Sequence, residues 1–352
     1  MDSLFQQFQQ LFDDNTKWNY YHLTNLKNPF NSPECDNSKQ FIKSFLEYSN
    51  KTDDIYDVLG LIHPNRNLHI VTNYFLGIHF YEDNYKIKNA IDNQVKRLVP
   101  AQDIDFDNSF KYLWFLTCFY HDVGYYYEEN KGIIESLRSL KKDIKIEKVI
   151  PRLIGVPKLF HNLGNKYLLY RLEKFGCYDH GIIGGMLLYD RLIKIYYRFK
   201  NGNPNNSFIH NSLYWSDSMF KYFQLIASVV LTHNIWFKNE MSDSIDDINM
   251  YKEYKLDKLI ICNNSLRKIN LNRHPLLFLL SLVDTIEPTK QYGIDFLKKI
   301  KVIFIEKDNK ILVQGQKNDD EVNGWLTSIV SLNDWLKIEL NIVNDSDMEI
   351  TL

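Results

Sequence analysis

Six side chains in this sequence have the chemistry to hold a metal cation, and each sits where an unpaired charge is costly: His69, His121, Asp122, His180, His233 and Asp284. His121 and Asp122 end the apolar stretch YLWFLTCFYHD. His233 closes YFQLIASVVLTH, where it shares a helical face with Ile226, Val229 and Val230. Asp284 lies among Leu276, Leu277, Leu280 and Val283 in PLLFLLSLVDTIE, His69 lies in NLHIVTNYFLG, and His180 in DHGIIGGMLLY. An ionisable group in apolar surroundings must be paired or bound to a metal. A single such histidine reads as a core residue satisfied by its own neighbours. Six such groups on five helical segments read as one site.

Four imidazoles and two carboxylates without a thiolate fit Mn, Fe, Co, Ni or Zn better than an all-oxygen Ca or Mg cage. Six side chains exceed what one open catalytic ion needs and suit two ions, ~3.5–4 Å apart, with a carboxylate between them. Adjacent helical residues diverge by about 100°, so one of His121 and Asp122 can serve one ion while its neighbour reaches both. The expected cofactor is therefore one or two divalent transition-metal ions, with His121 and Asp122 at the centre of the chemistry.

These residues must be positioned by helices. The patterning predicts helices over about 67–83, 108–122 (stopped by Gly124 as a left-handed cap), 179–199, 216–237 and 275–287, the last begun by Pro275. Residues 28–38 and 201–206 read as loops, and 239–272 as mostly loop. After residue 300 the period changes: 302–305 and 311–314 flank a turn as a β-hairpin, followed by a helix over 319–337 and a strand over 338–343. The fold class is mainly α, with an N-terminal helical extension over 1–60, a helical metal-binding body over 61–298, and a small α+β appendage over 299–352. The lysine-rich, less regular 128–175 region reads as an insertion over the core; its run KKDIKIEK reads as a solvated face.

Composition narrows the partners. With 45% hydrophobic residues the chain can build a sizeable core, and a net charge of −2 offers no basic excess for a nucleic-acid backbone. Its apolar runs fall far short of the ~18 residues of a spanning helix, so no membrane partner is expected. The start, MDSLFQQFQQLFDDN, lacks the features of a signal peptide. Four cysteines without a C-x-x-C pair signal neither disulfides nor a thiolate zinc site, and fit a reducing cytoplasm. A homo-oligomer is compatible with these features.

Taken in order, His69, His121-Asp122, His180, His233 and Asp284 resemble the H…HD…H…H…D signature of HD-domain phosphohydrolases. FYHDVGYYYE is similar to that family's apolar-HD-x-G turn, DHGIIGG to its H-G segment, LTHNIW to its H-N segment, and SLVDTIE to its closing helix. The resemblance spans roughly 66–290. It implies a helical HD core in which His69, His121, Asp122 and Asp284 hold one metal. Asp122 bridges, and His180 and His233 complete a second. The implied activity is hydrolysis of a phosphate mono- or diester, often of a nucleotide, by metal-activated water. Many members carry Lys after HD-x-G; here Tyr125 stands, which can donate a hydrogen bond but brings no cation.

Around this set, Arg66, Tyr125, Asn234 and Lys290 are the candidate substrate contacts. Arg66 stands one turn before His69 and could clamp a phosphate. Asp179 reads as the N-cap of the His180 helix, with orientation of an imidazole as the alternative. Gly181, Gly184 and Gly185 would let helices approach near the ions. His22, His63, His79, His161, His210 and His274 lie outside the pattern. Two other functions suit the same residues: a di-iron oxygenase of the HD fold, and a non-catalytic nucleotide-binding regulator signalling through the appendage.

Overall fold

The computed structural model describes residues 2–14, 42, 64–99, 106–129, 153–203, 208–210, 213–261, 267–305 and 309–352. The expected 28–38 loop, His22, His63 and the 141–148 lysine run lie outside the described residues, as do 204–207 of the second expected loop.

The protein is mainly helical with a small sheet-bearing C-terminal part. Helix α1 (Leu4–Asp13) starts with a reciprocal capping box between Ser3 and Gln6 and buries Leu4, Phe8, Leu11 and Phe12 on one stripe. Helix α2 (Pro64–Asp83) carries His69, and α3 (Tyr85–Leu98) follows behind an Asn84 cap. Helix α4 (Phe106–Val123) ends in His121-Asp122, and the one-turn α5 (Tyr125–Glu129) continues almost without a break.

Gly124 is not the left-handed cap expected of it: the positive-φ glycines are Gly155, Gly176, Gly202 and Gly293. Its role is contact. A Cβ at Gly124 would lie 2.0 Å from the His180 carbonyl oxygen, so only glycine lets the turn after His121-Asp122 touch the start of the helix that begins at His180.

Within the supposed insertion, residues 158–175 form a regular helix, α6 (Lys158–Phe175), closed by left-handed Gly176. The irregularity expected there holds for none of this stretch; 130–152 lie outside the described residues. Helix α7 (His180–Leu188) is buried on every side, and runs through a π-helical turn at Tyr189–Ile193 into α8 (Lys194–Phe199). An all-round apolar helix belongs at the centre of a bundle, and α7 packs against both α4 and α9 (Asp217–Thr232). The close fit uses its glycines: a Cβ at Gly184 would fall 2.1 Å from the Tyr120 carbonyl oxygen.

Helix α9 stops earlier than expected, with His233 as its C-cap residue. The polar 239–272 segment is not mostly loop. It contains α10 (Ile245–Glu253), capped by Ser244, which buries Ile248 and Tyr251 despite its acidic start. Helix α11 (Pro275–Ile286) has Pro275 in its first turn, as expected, and carries Asp284. The short α12 (Thr289–Tyr292) follows.

Two antiparallel strands, β1 (Phe208–His210) and β2 (Leu213–Trp215), and a parallel pair, β3 (Lys238–Asn239) and β4 (Ile260–Ile261), are small additions to the helical body. The C-terminal part is a four-stranded antiparallel sheet of β5 (Ile300–Ile305), β6 (Lys310–Gly315), β7 (Glu339–Asn344) and β8 (Asp347–Thr351), in the order β5-β6-β8-β7. The expected hairpin is there; β8 is an addition. The expected 319–337 helix is split into α13 (Asp320–Val330) and α14 (Leu332–Trp335).

This part shares one hydrophobic core with the helices. Trp325 of α13 donates its indole N–H to the Ile286 carbonyl at 2.8 Å, two residues beyond Asp284, so the C-terminal part braces the end of α11. Gln7 of α1 reaches the Val302 carbonyl of β5 at 3.1 Å. Among the described residues, no helix is long and apolar enough to cross a membrane.

Candidate metal centre

Helices α2, α4 and α11 converge so that His69, His121 and Asp284 bring one ligand atom each within 4.8 Å of one another. Asp284 Oδ1 lies 2.9 Å from His69 Nε2 and 3.3 Å from His121 Nε2. Asp122 stands beside this trio and divides its carboxylate: Oδ2 is 3.6 Å from His69 Nε2, and Oδ1 is 3.5 Å from His121 Nε2. The remaining imidazoles extend the row. Ring centroids run from His69 to His121 at 5.4 Å, from His121 to His233 at 5.5 Å, and from His233 to His180 at 5.4 Å. All six expected ligands thus lie in one cluster, three of them at ligand spacing and the others in contact around them.

The hydrogen bonds give this row a common direction. His69 Nδ1 donates to Glu287 Oε2 at 2.5 Å, His121 Nδ1 to the Cys118 carbonyl at 2.5 Å, His180 Nδ1 to Glu128 Oε2 at 2.9 Å, and His233 Nδ1 to the Val230 carbonyl at 2.7 Å. Each partner is an oxygen that can only accept, so each Nδ1 carries a proton; His69 Nε2 meets Asp284 Oδ1 at 2.9 Å, and His233 Nε2 has no partner. A metal-binding histidine is held in just this way by its outer nitrogen.

Buried polar atoms support the same reading. His233 Nε2 and Asp122 Oδ1 are buried and have no hydrogen-bond partner. Buried polar atoms are normally satisfied, and a cation would satisfy these. The donor set of imidazole and carboxylate fits a transition-metal ion.

Electrostatics follow from the packing. Burial disfavours a charged His69, but the Asp122 charge and the bonds to Asp284 and Glu287 outweigh it and raise the imidazole from its ordinary 6.5 to about 9. Burial alone would raise Asp122; Lys290, His121 and His69 together hold it far below the usual carboxylate range. Burial and the neighbouring His180 and His121 press His233 down to about 3, so it stays neutral.

The candidate substrate contacts fall into two groups. Arg66, Tyr125 and Lys290 line one side of the cluster. Arg66 Nη1 is 3.4 Å from Asp122 Oδ2 and Lys290 Nζ is 3.8 Å from Asp122 Oδ1. The Arg66 guanidinium lies 3.7 Å over the Tyr125 ring, whose other contacts are the stacked His180 ring, centroids 3.7 Å apart, and Lys290 Nζ, 3.3 Å from its hydroxyl. Burial pushes the Tyr125 hydroxyl up to about 12, so it remains a neutral donor. Asn234 is engaged elsewhere: its amide N–H donates to Asp179 Oδ2 at 2.5 Å, and its oxygen accepts from the Trp236 indole.

Asp179 caps α7 as expected, accepting from Ile182 N at 3.1 Å, while Glu128 orients the His180 imidazole. Of the histidines set aside, His79 pairs with Asp83 at 2.5 Å, away from the cluster.

Three contributors escape the sequence reading: Glu128, Glu287 and Asn73. Glu128 Oε2 accepts from both the backbone and the ring of His180, while Oε1 is held by Arg171 of α6 at 2.6 Å. Glu287 accepts from His69 across 218 residues of chain, and its Oε1 takes the Thr289 N–H at 2.8 Å. Asn73 Nδ2 lies 3.0 Å from His69 Nε2 and 3.3 Å from His121 Nε2. A signal existed for two of them. Asn73 is four residues past His69 on the same face of α2, and Glu287 is three past Asp284, as the residue that closes α11.

Glu287→Gln keeps the shape but removes the charge that orients His69. Metal affinity is expected to fall by about 10–100-fold, read by calorimetric titration of the metal-free protein; unchanged affinity would show that Glu287 does not tune the ligand.

No protein-family model, curated protein or solved structure matches this chain.

Proposed function

We propose that the chain is a metal-dependent phosphohydrolase of the HD type, acting on a phosphate mono- or diester with nucleotides as the substrate class. The observation that carries this reading is the row of four imidazoles whose Nδ1 atoms are all bound to acceptors and whose Nε2 atoms are available beside two carboxylates. His69, His121, Asp122 and Asp284 would hold one ion; His180 and His233, with Asp122 between, would hold a second. Mn, Fe, Co, Ni and Zn are the candidates.

A bound ion of this kind supplies Lewis acidity, bringing the pKa of water towards ~7 and drawing charge from a phosphoryl oxygen. The residues do the rest. Glu287, Glu128 and two backbone carbonyls keep each imidazole in one tautomer and one orientation. Arg66 and Lys290, both against Asp122, place two cations where an anionic ester would lie. Tyr125 offers a hydroxyl proton between them.

Those two cations are what favour phosphoryl transfer over oxygen activation by a di-iron pair, since dioxygen is uncharged and gains little from them. The test is to purify the protein, measure its metal content, and assay bis(p-nitrophenyl) phosphate and nucleotide substrates with added Mn²⁺. The expected result is metal-dependent hydrolysis that His121→Ala abolishes. Oxygen consumption by an iron form without hydrolysis, or tight nucleotide binding without turnover, would overturn the proposal.

A further inference from the structure

We propose that the side-chain oxygen of Asn73 is an additional ligand of the ion held by His69, His121 and Asp284, an inference that rests on the metal reading above. Asn73 is fully buried on α2, one turn beyond His69. Trp114 of α4 shares its indole N–H between the Tyr74 and Asn73 carbonyls, at 3.0 and 3.3 Å, which ties this turn of α2 to α4. Complete burial leaves the side chain little freedom except rotation of its amide.

The amide nitrogen faces His69 Nε2 at 3.0 Å and His121 Nε2 at 3.3 Å, while Oδ1 is buried with no hydrogen-bond partner. That is the less favourable way round. Both Nε2 atoms already point at Asp284 Oδ1, a carboxylate oxygen that can only accept. If the Nε2 atoms bear protons, the amide N–H groups confront other donors. If they instead ligate a cation, the N–H groups confront the cation. An oxygen suits both cases, as acceptor in the first and ligand in the second. A half-turn of the amide exchanges nitrogen for oxygen at the same place, and Oδ1 gives up no bond by moving. Amide carbonyls are established ligands of hard divalent ions and combine with imidazole and carboxylate at ions such as Mn²⁺.

The experiment titrates metal-free protein with Mn²⁺ and, separately, Co²⁺. Wild type is compared with Asn73→Ala, the near-isosteric Asn73→Leu and Asn73→Asp, with His121→Ala as a control for the site. Thermal unfolding of each metal-free variant checks that it is folded. Asn73→Ala and Asn73→Leu are expected to bind Mn²⁺ about 10–100-fold more weakly. Asn73→Asp, which keeps an oxygen in place, should bind as tightly as wild type or more so. The visible absorption of Co²⁺ should intensify in the Ala and Leu variants, as expected on losing a ligand.

Binding by Asn73→Ala and Asn73→Leu within twofold of wild type would overturn the inference. So would an Asn73→Asp variant as weak as Asn73→Ala, because the amide would then matter as a donor. If wild type and His121→Ala bind alike, the metal reading itself fails, and this inference fails with it.

Discussion

Asp122→Ala is expected to lower metal-dependent ester hydrolysis by on the order of 10³-fold, a loss comparable to removing one preorganised electrostatic contributor from an active site. Asp122 is the residue around which the charges are arranged. One oxygen faces His69 and Arg66, the other His121 and Lys290. Among the described ion pairs no other carboxylate of the cluster meets both Arg66 and Lys290. Because breaking a buried ion pair from one side can cost about 3–5 kcal/mol, the alanine variant alone could lose activity through unfolding. Asp122→Asn separates the two effects. It retains the shape and loses the charge, so the fold should persist while turnover falls by a similar factor. A second readout is independent of turnover. The Asp122 charge is the largest influence raising His69, so the His69 imidazole in metal-free Asp122→Asn should titrate below its value of about 9. Turnover within tenfold of wild type in both variants would remove Asp122 from the chemistry.

The cluster was legible because burial makes charge conspicuous. His121, Asp122, His233 and Asp284 each interrupt an apolar helical face, and no local partner for them is visible in the sequence. The fold places all of them together, by way of helices that the 3.6-residue pattern predicts. The groups that orient them were not legible in the same way. Glu128 is the first glutamate of YYYEE, where a glutamate ordinarily meets solvent; only the arrival of α7 from some fifty residues later turns it towards His180. Arg171, which braces Glu128, lies in the region read as an irregular insertion. Such second partners are facts of tertiary structure, and spacing along one helix cannot contain them.

The errors of secondary structure have local causes. Gly124 looks like a helix stop because it follows an apolar helix, but what fixes it is the approach of another chain segment. The 239–272 stretch is polar, yet Ser244 caps α10 and two buried residues are enough to seat it. Strand β8 was missed in a run of acidic residues, although Met348 and Ile350 alternate inward and both are buried. Its period of two was present but too short to stand out.

The stabilisation that a metal gives this protein should increase with pH between about 6.5 and 9, and His69 sets that window. In the metal-free fold its pKa is raised from 6.5 to about 9, burial being outweighed by Asp122, Asp284 and Glu287. A histidine with a raised pKa contributes stability that is complete below 6.5 and is lost as pH climbs through 9. A divalent ion replaces the proton on Nε2 and restores the positive charge between the carboxylates. At pH 7 the ion must first expel that proton, so its apparent affinity should rise about tenfold per pH unit until near 9 and then level off with respect to this group. Two units correspond to a factor of ~100, or about 2.7 kcal/mol. His233 has the opposite sign. Lowered to about 3 by burial and by its imidazole neighbours, it contributes stability above 6.5 that is lost as pH falls towards 3, and it releases no proton to an ion at neutral pH. Titration calorimetry at pH 7.5 in buffers of different ionisation enthalpy should therefore find about one proton released from His69 per ion bound, declining towards none above pH 9. Metal binding with no proton release and no dependence on pH across that window would mean that His69 does not hold its proton against Asp284, and the charge balance drawn here for the cluster would have to be abandoned.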